Sequence, residues 1–360
     1  MPSHYGMHSQ RVRKFGVGFL RTFCAIAGLT ALAACGPLGG VEDDLGAGNG
    51  GQAGVGANSG AGAPGSAGAV MLPPEPAFKV VGYQPAWVSS FAGLQFDKLD
   101  YICYAFAIEQ ADGSIMMPQT TKQLLDLVVG AHNAGVRVLI SVGGWNDGND
   151  SAFDALASNP AGRAKFATGI EGIVDQFQLD GVDIDWEFPE ANVAANFTLM
   201  IQEVSAKLRP KGKLVTIAGA AFYDGAAGVT AEAMQYIDFV NIMAYDGNPG
   251  AGHSPYSFAE SGLKIWLDKG IAPAKAILGV PFYSQPGYLP YSMLVANDPE
   301  AANVDERNKQ YYNGIPTVQA KTALALLRAG GIMAWDLSQD SRKPELSLLN
   351  AIDSKIQASR

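Results

Sequence analysis

The stretch Asp180-Gly181-Val182-Asp183-Ile184-Asp185-Trp186-Glu187 decides how this chain is read. Four of its residues are acids, set in a segment that otherwise has the apolar character of a buried strand. Side chains alternate along a strand, so Asp183, Asp185 and Glu187 share one face while Val182, Ile184 and Trp186 share the other. Same-face neighbours lie roughly 6.8 Å apart. At an effective dielectric of ~20, two charges at that separation repel by about 2.4 kcal/mol, close to ~2 pKa units. At least one of the three acids is therefore expected to keep a proton near neutrality, as a general acid must. A merely solvated acidic edge would not interleave its acids with Val, Ile and Trp, nor bracket them with Gly181 and Pro189.

Outward from this stretch, apolar strand-like runs alternate with periodic helix-like segments. The expected strands are 79–83, 101–106, 136–142, 181–187, 214–220, 239–245, 276–282 and 331–335. Helical periodicity is expected over 123–134, 161–177, 193–208, 258–269, 318–329 and 344–356. Continuous apolar strands spaced by helices imply a parallel sheet covered on both faces. Eight such units in about 280 residues match an α/β fold of the (β/α)8 TIM-barrel type. The competing arrangement is a doubly wound open sheet, but no glycine-rich phosphate turn follows the first strand. In such barrels the active site lies at the C-terminal strand ends, where Glu187 falls.

The octapeptide resembles the D-x-x-D-x-D-x-E signature of glycoside hydrolase family 18, the chitinases and related endo-N-acetylglucosaminidases. Other strand ends resemble those of the same family: Gly82-Tyr83, Tyr104-Ala105-Phe106, Ser141-Val142-Gly143-Gly144-Trp145, Met243-Ala244-Tyr245-Asp246, Gly279-Val280-Pro281-Phe282-Tyr283 and Met333-Ala334-Trp335. Singly, each has a plainer reading: a tight turn at Ser141–Gly144, core packing for Tyr245 and Trp335. Their occurrence at successive strand ends favours the family, over roughly residues 78–356.

The resemblance implies a retaining mechanism in which the substrate's own 2-acetamido group attacks the anomeric carbon. It gives Glu187 the role of proton donor and then base. Asp185 would orient the acetamido group, with Asp183 deeper and sharing a proton or hydrogen bond with it. The Tyr245 hydroxyl would hold the acetamido carbonyl, with Asp246 beside it. Trp335 would floor the reacting sugar, and Trp145 would stack a sugar on the leaving-group side. Tyr83 and Ser141 would complete the network near Asp183; Phe106, Gly144 and Met243 are further substrate-side candidates. Asp180 would support the strand start. Trp87, Tyr288 and Tyr291 are weaker stacking candidates, for which ordinary loop packing is the favoured reading. The connection 284–314 has 31 residues, too short for the α+β domain that many processive relatives insert there, so a shallower groove and internal cutting are expected. Tyr311-Tyr312-Asn313-Gly314 either lines that groove or pins the following helix.

The 360-residue chain carries a formal charge of −9, which argues against nucleic acid as a partner. Of its three cysteines, Cys24 and Cys35 precede the folded part, leaving Cys103 in an apolar run as an expected small buried hydrophobe. The histidines His4, His8, His132 and His253 include no pair with ligand spacing, so neither metal nor cofactor is expected. A basic start followed by the apolar run 22–34 has the length of an export signal rather than a span. Leu32-Ala33-Ala34-Cys35-Gly36 resembles a bacterial lipobox, which implies lipidation at Cys35; cleavage near Ala34 that leaves Cys35 plain is the alternative. The residue after the cysteine is Gly36 rather than Asp, which points to the outer membrane or cell surface over the inner membrane, with secretion as the alternative. The expected organisation is a signal peptide over 1–34, a Gly/Ala-rich tether over 35–76 and a monomeric catalytic barrel over 77–358. The expected substrate is chitin or another N-acetylglucosamine polysaccharide. An endo-N-acetylglucosaminidase acting on glycoprotein or cell-wall glycans is the nearest alternative, and a non-catalytic chitin-binding lectin the third.

Overall fold

The computed structural model describes residues 72–360 apart from Ser89. The export signal, Cys35 and the tether up to residue 71 lie outside the described residues.

Eight parallel strands close into a barrel: β1 (Lys79–Pro85), β2 (Tyr101–Glu109), β3 (Arg137–Gly143), β4 (Gly181–Asp185), β5 (Leu214–Ala220), β6 (Phe239–Met243), β7 (Ala276–Pro281) and β8 (Gly331–Trp335). Closure is made by β1, which pairs with β8 through Lys79↔Gly331 and with β2 through Val81↔Tyr101. The helices are α1 (Thr121–Asn133), α2 (Ser151–Ser158), α3 (Pro160–Gln176), α4 (Ala194–Leu208), α5 (Tyr256–Asp268), α6 (Tyr291–Ala296), α7 (Ile315–Arg328) and α8 (Leu348–Gln357). The links β1–β2 and β5–β6 carry only single 3-10 turns, Phe96–Lys98 and Ala233–Gln235. These are also the two links in which the sequence shows no helical period.

Period-two alternation divides the core. Val81 and Tyr83 of β1, Cys103 of β2, Leu139 of β3 and Phe239 of β6 meet inside the barrel. Val80, Val182, Ile184 and Ile242 face outward into the layer between strands and helices. Trp186 continues that outer face, stacking on Phe153 of α2 at 5.0 Å and 6° and meeting Phe197 of α4 at 5.9 Å. Asp183 and Asp185 are thus turned inward because their neighbours are pulled outward by burial.

Two details fix β4. Gly181 has no room for a side chain: a Cβ there would meet the Leu214 carbonyl oxygen at 2.2 Å. Asp180, just before it, accepts from Val138 N–H at 2.8 Å and lies 2.8 Å from His132 Nε2. These contacts tie the start of β4 to β3 and α1. Below, at the strand starts, Tyr101 donates to Glu75 at 2.9 Å and the Arg137 guanidinium lies 5.6 Å from the Tyr101 ring centre.

The connection after β7 holds only α6, a 3-10 turn at Pro299–Asn303 and a two-residue-per-strand hairpin, Glu306–Arg307 with Gln310–Tyr311. The sizeable inserted domain is absent from these described residues. Tyr312 is buried and donates to Ala301 O at 2.7 Å, while Asn313 bonds both Ser254 and Lys321. Of the two readings of this segment, pinning the helix describes these two residues.

Candidate active site

At the centre of the barrel stands Asp183, fully buried. Register brings its donors to it: Ser141 of β3 and Thr216 of β5 are its Cα partners on either side. One carboxylate oxygen accepts from Tyr83 Oη at 2.8 Å and Ser141 Oγ at 2.8 Å. The other accepts from Thr216 Oγ1 at 2.6 Å and Asn241 Nδ2 at 3.3 Å. Burial pushes the Asp183 carboxyl up, and these four donors, Thr216 first, pull it back down. No bond to Asp185 is present, contrary to the expectation of a shared proton or hydrogen bond: both Asp183 oxygens are taken by neutral donors.

Asp185 lies two residues further along the same face. It is 3% exposed, and its Oδ1 is buried without a hydrogen-bond partner. Burial, then the charges of Glu187 and Asp183, push its carboxyl well up. The adjoining turn is shaped around it: Gly144 N–H donates to the Asp185 carbonyl at 2.8 Å. A Cβ on Gly143, at φ +116°, would meet that same oxygen at 2.2 Å. Gly144 therefore serves the backbone of β4 through its amide.

Glu187 sits beyond the last residue of β4 and is partly exposed. The strand ends at Asp185 instead of reaching 187. Burial raises the Glu187 carboxyl to about 7, followed by the charges of Asp150 and Asp246. Asp150 is itself raised to about 6 by burial, opposed by the Phe188 N–H.

Aromatic rings frame these acids. Trp335, ending β8, meets Tyr83 edge-on at 5.4 Å and stacks against Phe106 at 5.6 Å and 25°. Tyr245 and Met243 pack beside the inner cluster at the end of β6. Burial and then the charges of Asp185 and Glu187 hold the Tyr245 hydroxyl well above the usual phenol range, so it stays protonated. Asp246 is held in place: it accepts from Tyr283 Oη at 2.5 Å and from Gln285, and lies 2.9 Å from His253 Nδ1. Trp145 is largely exposed at the end of β3. Of the weaker candidates, Trp87 and Tyr288 are exposed, while Tyr291 is fully buried and belongs to the core.

Thr216, Asn241, Asp150 and Gln285 went unmarked in the sequence, and Tyr283 and His253 were named there without this role. Thr216 and Asn241 carried a signal: each is the one polar residue in an otherwise apolar run, Leu214–Ala220 and Phe239–Met243, at an inward position. The others come from loops. No group of three or more His, Cys, Asp or Glu suited to a metal ion occurs among the described residues.

The model of the glycosyl hydrolases family 18 matches residues 79–340. Chitinase 1 of Aphanocladium album is 28% identical over 246 residues, covering 54% of this chain and 56% of that protein. Among solved structures, the GH18 chitinase ChiB of Flavobacterium johnsoniae is 28% identical with a TM-score of 0.69, covering 78% of this chain and 94% of that one. A chitinase from Bacteroides thetaiotaomicron is 26% identical with a TM-score of 0.70, covering 77% and 96%. The chain spans 11–56% of the length of the first curated relatives it matches. With the family match running from β1 past the end of β8, this chain belongs to the glycosyl hydrolases of family 18.

Proposed function

We propose that the chain is a chitinase-like glycoside hydrolase that cleaves β-1,4 linkages in N-acetylglucosamine polymers, with Glu187 as acid and then base and the substrate's acetamido group as nucleophile. One observation carries this reading: the three acids at alternate positions along β4 and just past its end differ stepwise in environment. Asp183 is fully buried with both oxygens occupied, Asp185 is nearly buried with an unpartnered oxygen, and Glu187 is partly exposed with its carboxyl raised to about 7. All three acids come from one face of one short segment, so none is placed to attack from the far side of the sugar once Glu187 is at the leaving oxygen, which argues against the two-carboxylate route and for a nucleophile brought by the sugar.

In this mechanism Glu187 protonates the leaving oxygen. The acetamido oxygen closes on the anomeric carbon, giving a cyclic oxazolinium and releasing the leaving chain as an alcohol. Asp185 accepts the acetamide N–H and stabilises the positive charge, and the Tyr245 hydroxyl donates to the acetamido oxygen. Water then opens the ring, its proton passing to Glu187, with net retention. The short connection after β7 leaves one side of the cleft low and favours internal cutting.

Glu187→Gln removes the proton donor and should abolish nearly all hydrolysis of N-acetylglucosamine oligomers while sparing binding. Substantial residual turnover, or first release of the α-anomer by the unaltered protein, would refute the mechanism. Parallel assays on a biantennary glycan and on peptidoglycan separate chitin cleavage from the endo-N-acetylglucosaminidase alternative. Lipid attachment at Cys35 is proposed from the lipobox resemblance; detergent-phase partitioning that Cys35→Ala leaves unchanged would overturn it.

A further inference from the structure

The β7 connection presents an aromatic ring that neither the core nor the acid cluster accounts for. Tyr288 is 65% exposed, yet its backbone is held at φ +49°, in the left-handed region that bulky residues avoid. The surrounding loop enforces this. Gln310 Oε1 accepts from Ser284 Oγ at 2.8 Å and from Gly287 N–H at 3.2 Å, clamping the turn just before Tyr288. A Cβ at Gly287 would stand 2.9 Å from that same oxygen. Strain maintained at an exposed aromatic is the pattern expected where the orientation of the ring is used.

The ring is also backed. Tyr288 stacks on Tyr283 at 6.0 Å and 12°, so one face is covered and rigid while the side chain as a whole remains open. Tyr283 is buried and immobilised by its bond to Asp246 and by edge contacts to His253 at 5.0 Å and Tyr245 at 6.3 Å. Two ring-to-ring steps, about 12 Å at most, therefore join Tyr288 to the tyrosine beside the acids. Sugars offer apolar C–H faces, and a pre-fixed tyrosine pays little conformational entropy to meet one.

We propose that Tyr288 is a stacking platform for a second acetamido sugar of the bound chain, adjacent to the unit seated at Tyr245 and Trp335. The assignment rests on the glycosidase reading above and adds a chain-length preference to it. The platform makes longer oligomers better substrates than those too short to lie on both rings.

The test is a ladder of N-acetylglucosamine oligomers, dimer to hexamer, with kcat/KM measured at each length. Tyr288→Ala should lower kcat/KM roughly three- to tenfold on oligomers long enough to reach the ring, the range of one aromatic stacking contact, and less on shorter ones. Tyr288→Phe and Tyr288→Trp should keep the wild-type length dependence. An unchanged ladder in Tyr288→Ala, or an equal loss at every length, overturns the platform while leaving the glycosidase reading intact. A wild-type protein inactive at every length overturns both.

Discussion

Lys321 of α7 is fully buried, and its Nζ donates to Ser254 O, Ser254 Oγ and Asn313 Oδ1, each at 2.7 Å. Among the described residues no carboxylate forms an ion pair with it. Burial pushes the ammonium down to about 7, with a smaller upward pull from Asp305. In the unfolded chain a lysine keeps its proton to about 10.4. Between about pH 7 and 10 the unfolded state thus binds more protons than the folded one, and stability rises with pH. For this residue alone the rise from pH 7 to 9 is about 2 kcal/mol. Lys321→Met abolishes that titration, so wild type should gain about 2 kcal/mol over the variant across the interval. Urea unfolding of both proteins at pH 7, 8 and 9 measures it, and the buried tyrosines, which titrate higher, cancel in the comparison. A difference that stays constant would show that the three acceptors keep the ammonium charged throughout, refuting the argument that burial dominates. The outcome bears on the cleft, because Ser254 Oγ also donates to the Ala244 carbonyl at 2.7 Å, next to Tyr245.

Two further outcomes are expected. With Glu187 raised to about 7, kcat/KM should fall above about pH 7 as the acid loses its proton, and Asp150→Asn, which removes the neighbouring charge that acts most on it, should move that limb to lower pH; an unmoved limb would show that Asp150 does not act on Glu187. Tyr291→Phe deletes a buried hydroxyl that has no partner, so Tm should hold or rise slightly, and a clear drop would reveal a bond the geometry does not account for.

The barrel was legible because its strands are apolar on both faces, and the structure places all eight within a few residues of the expected runs. The differences have local causes. β2 runs on to Glu109 because Ile108 and Glu109 pair with a short return strand at Ile115–Met116. β4 ends at Asp185, although Trp186 still follows its outer face and stacks on Phe153. The short helix α2 escaped notice because Asn159-Pro160 begins the stronger helix directly after it, with Asn159 capping Ala161 N–H at 3.0 Å. Within the site, residues on one strand were readable from alternation alone, whereas the donors around Asp183 depend on the register between strands. A one-residue slip at β4–β5 would turn Thr216 away from Asp183 and into the outer layer.

The contrast between Asp183 and Asp185 follows from their height in the barrel. Deep in the lumen, small polar residues of β3, β5 and β6 converge with Tyr83 of β1, so Asp183 finds four donors from the protein itself. Two residues higher no such donors converge, and Asp185 Oδ1 is left buried and unpartnered. Leaving such an acceptor unsatisfied costs about 1–3 kcal/mol, a cost that an apolar side chain would avoid. An acceptor kept empty at that level is what an incoming amide N–H requires, and a plain glucose unit has none to offer. Selectivity for acetamido sugars would then come from the same oxygen that destabilises the free protein, and a donor lost from the substrate would be felt more strongly than a methylene lost from an apolar pocket.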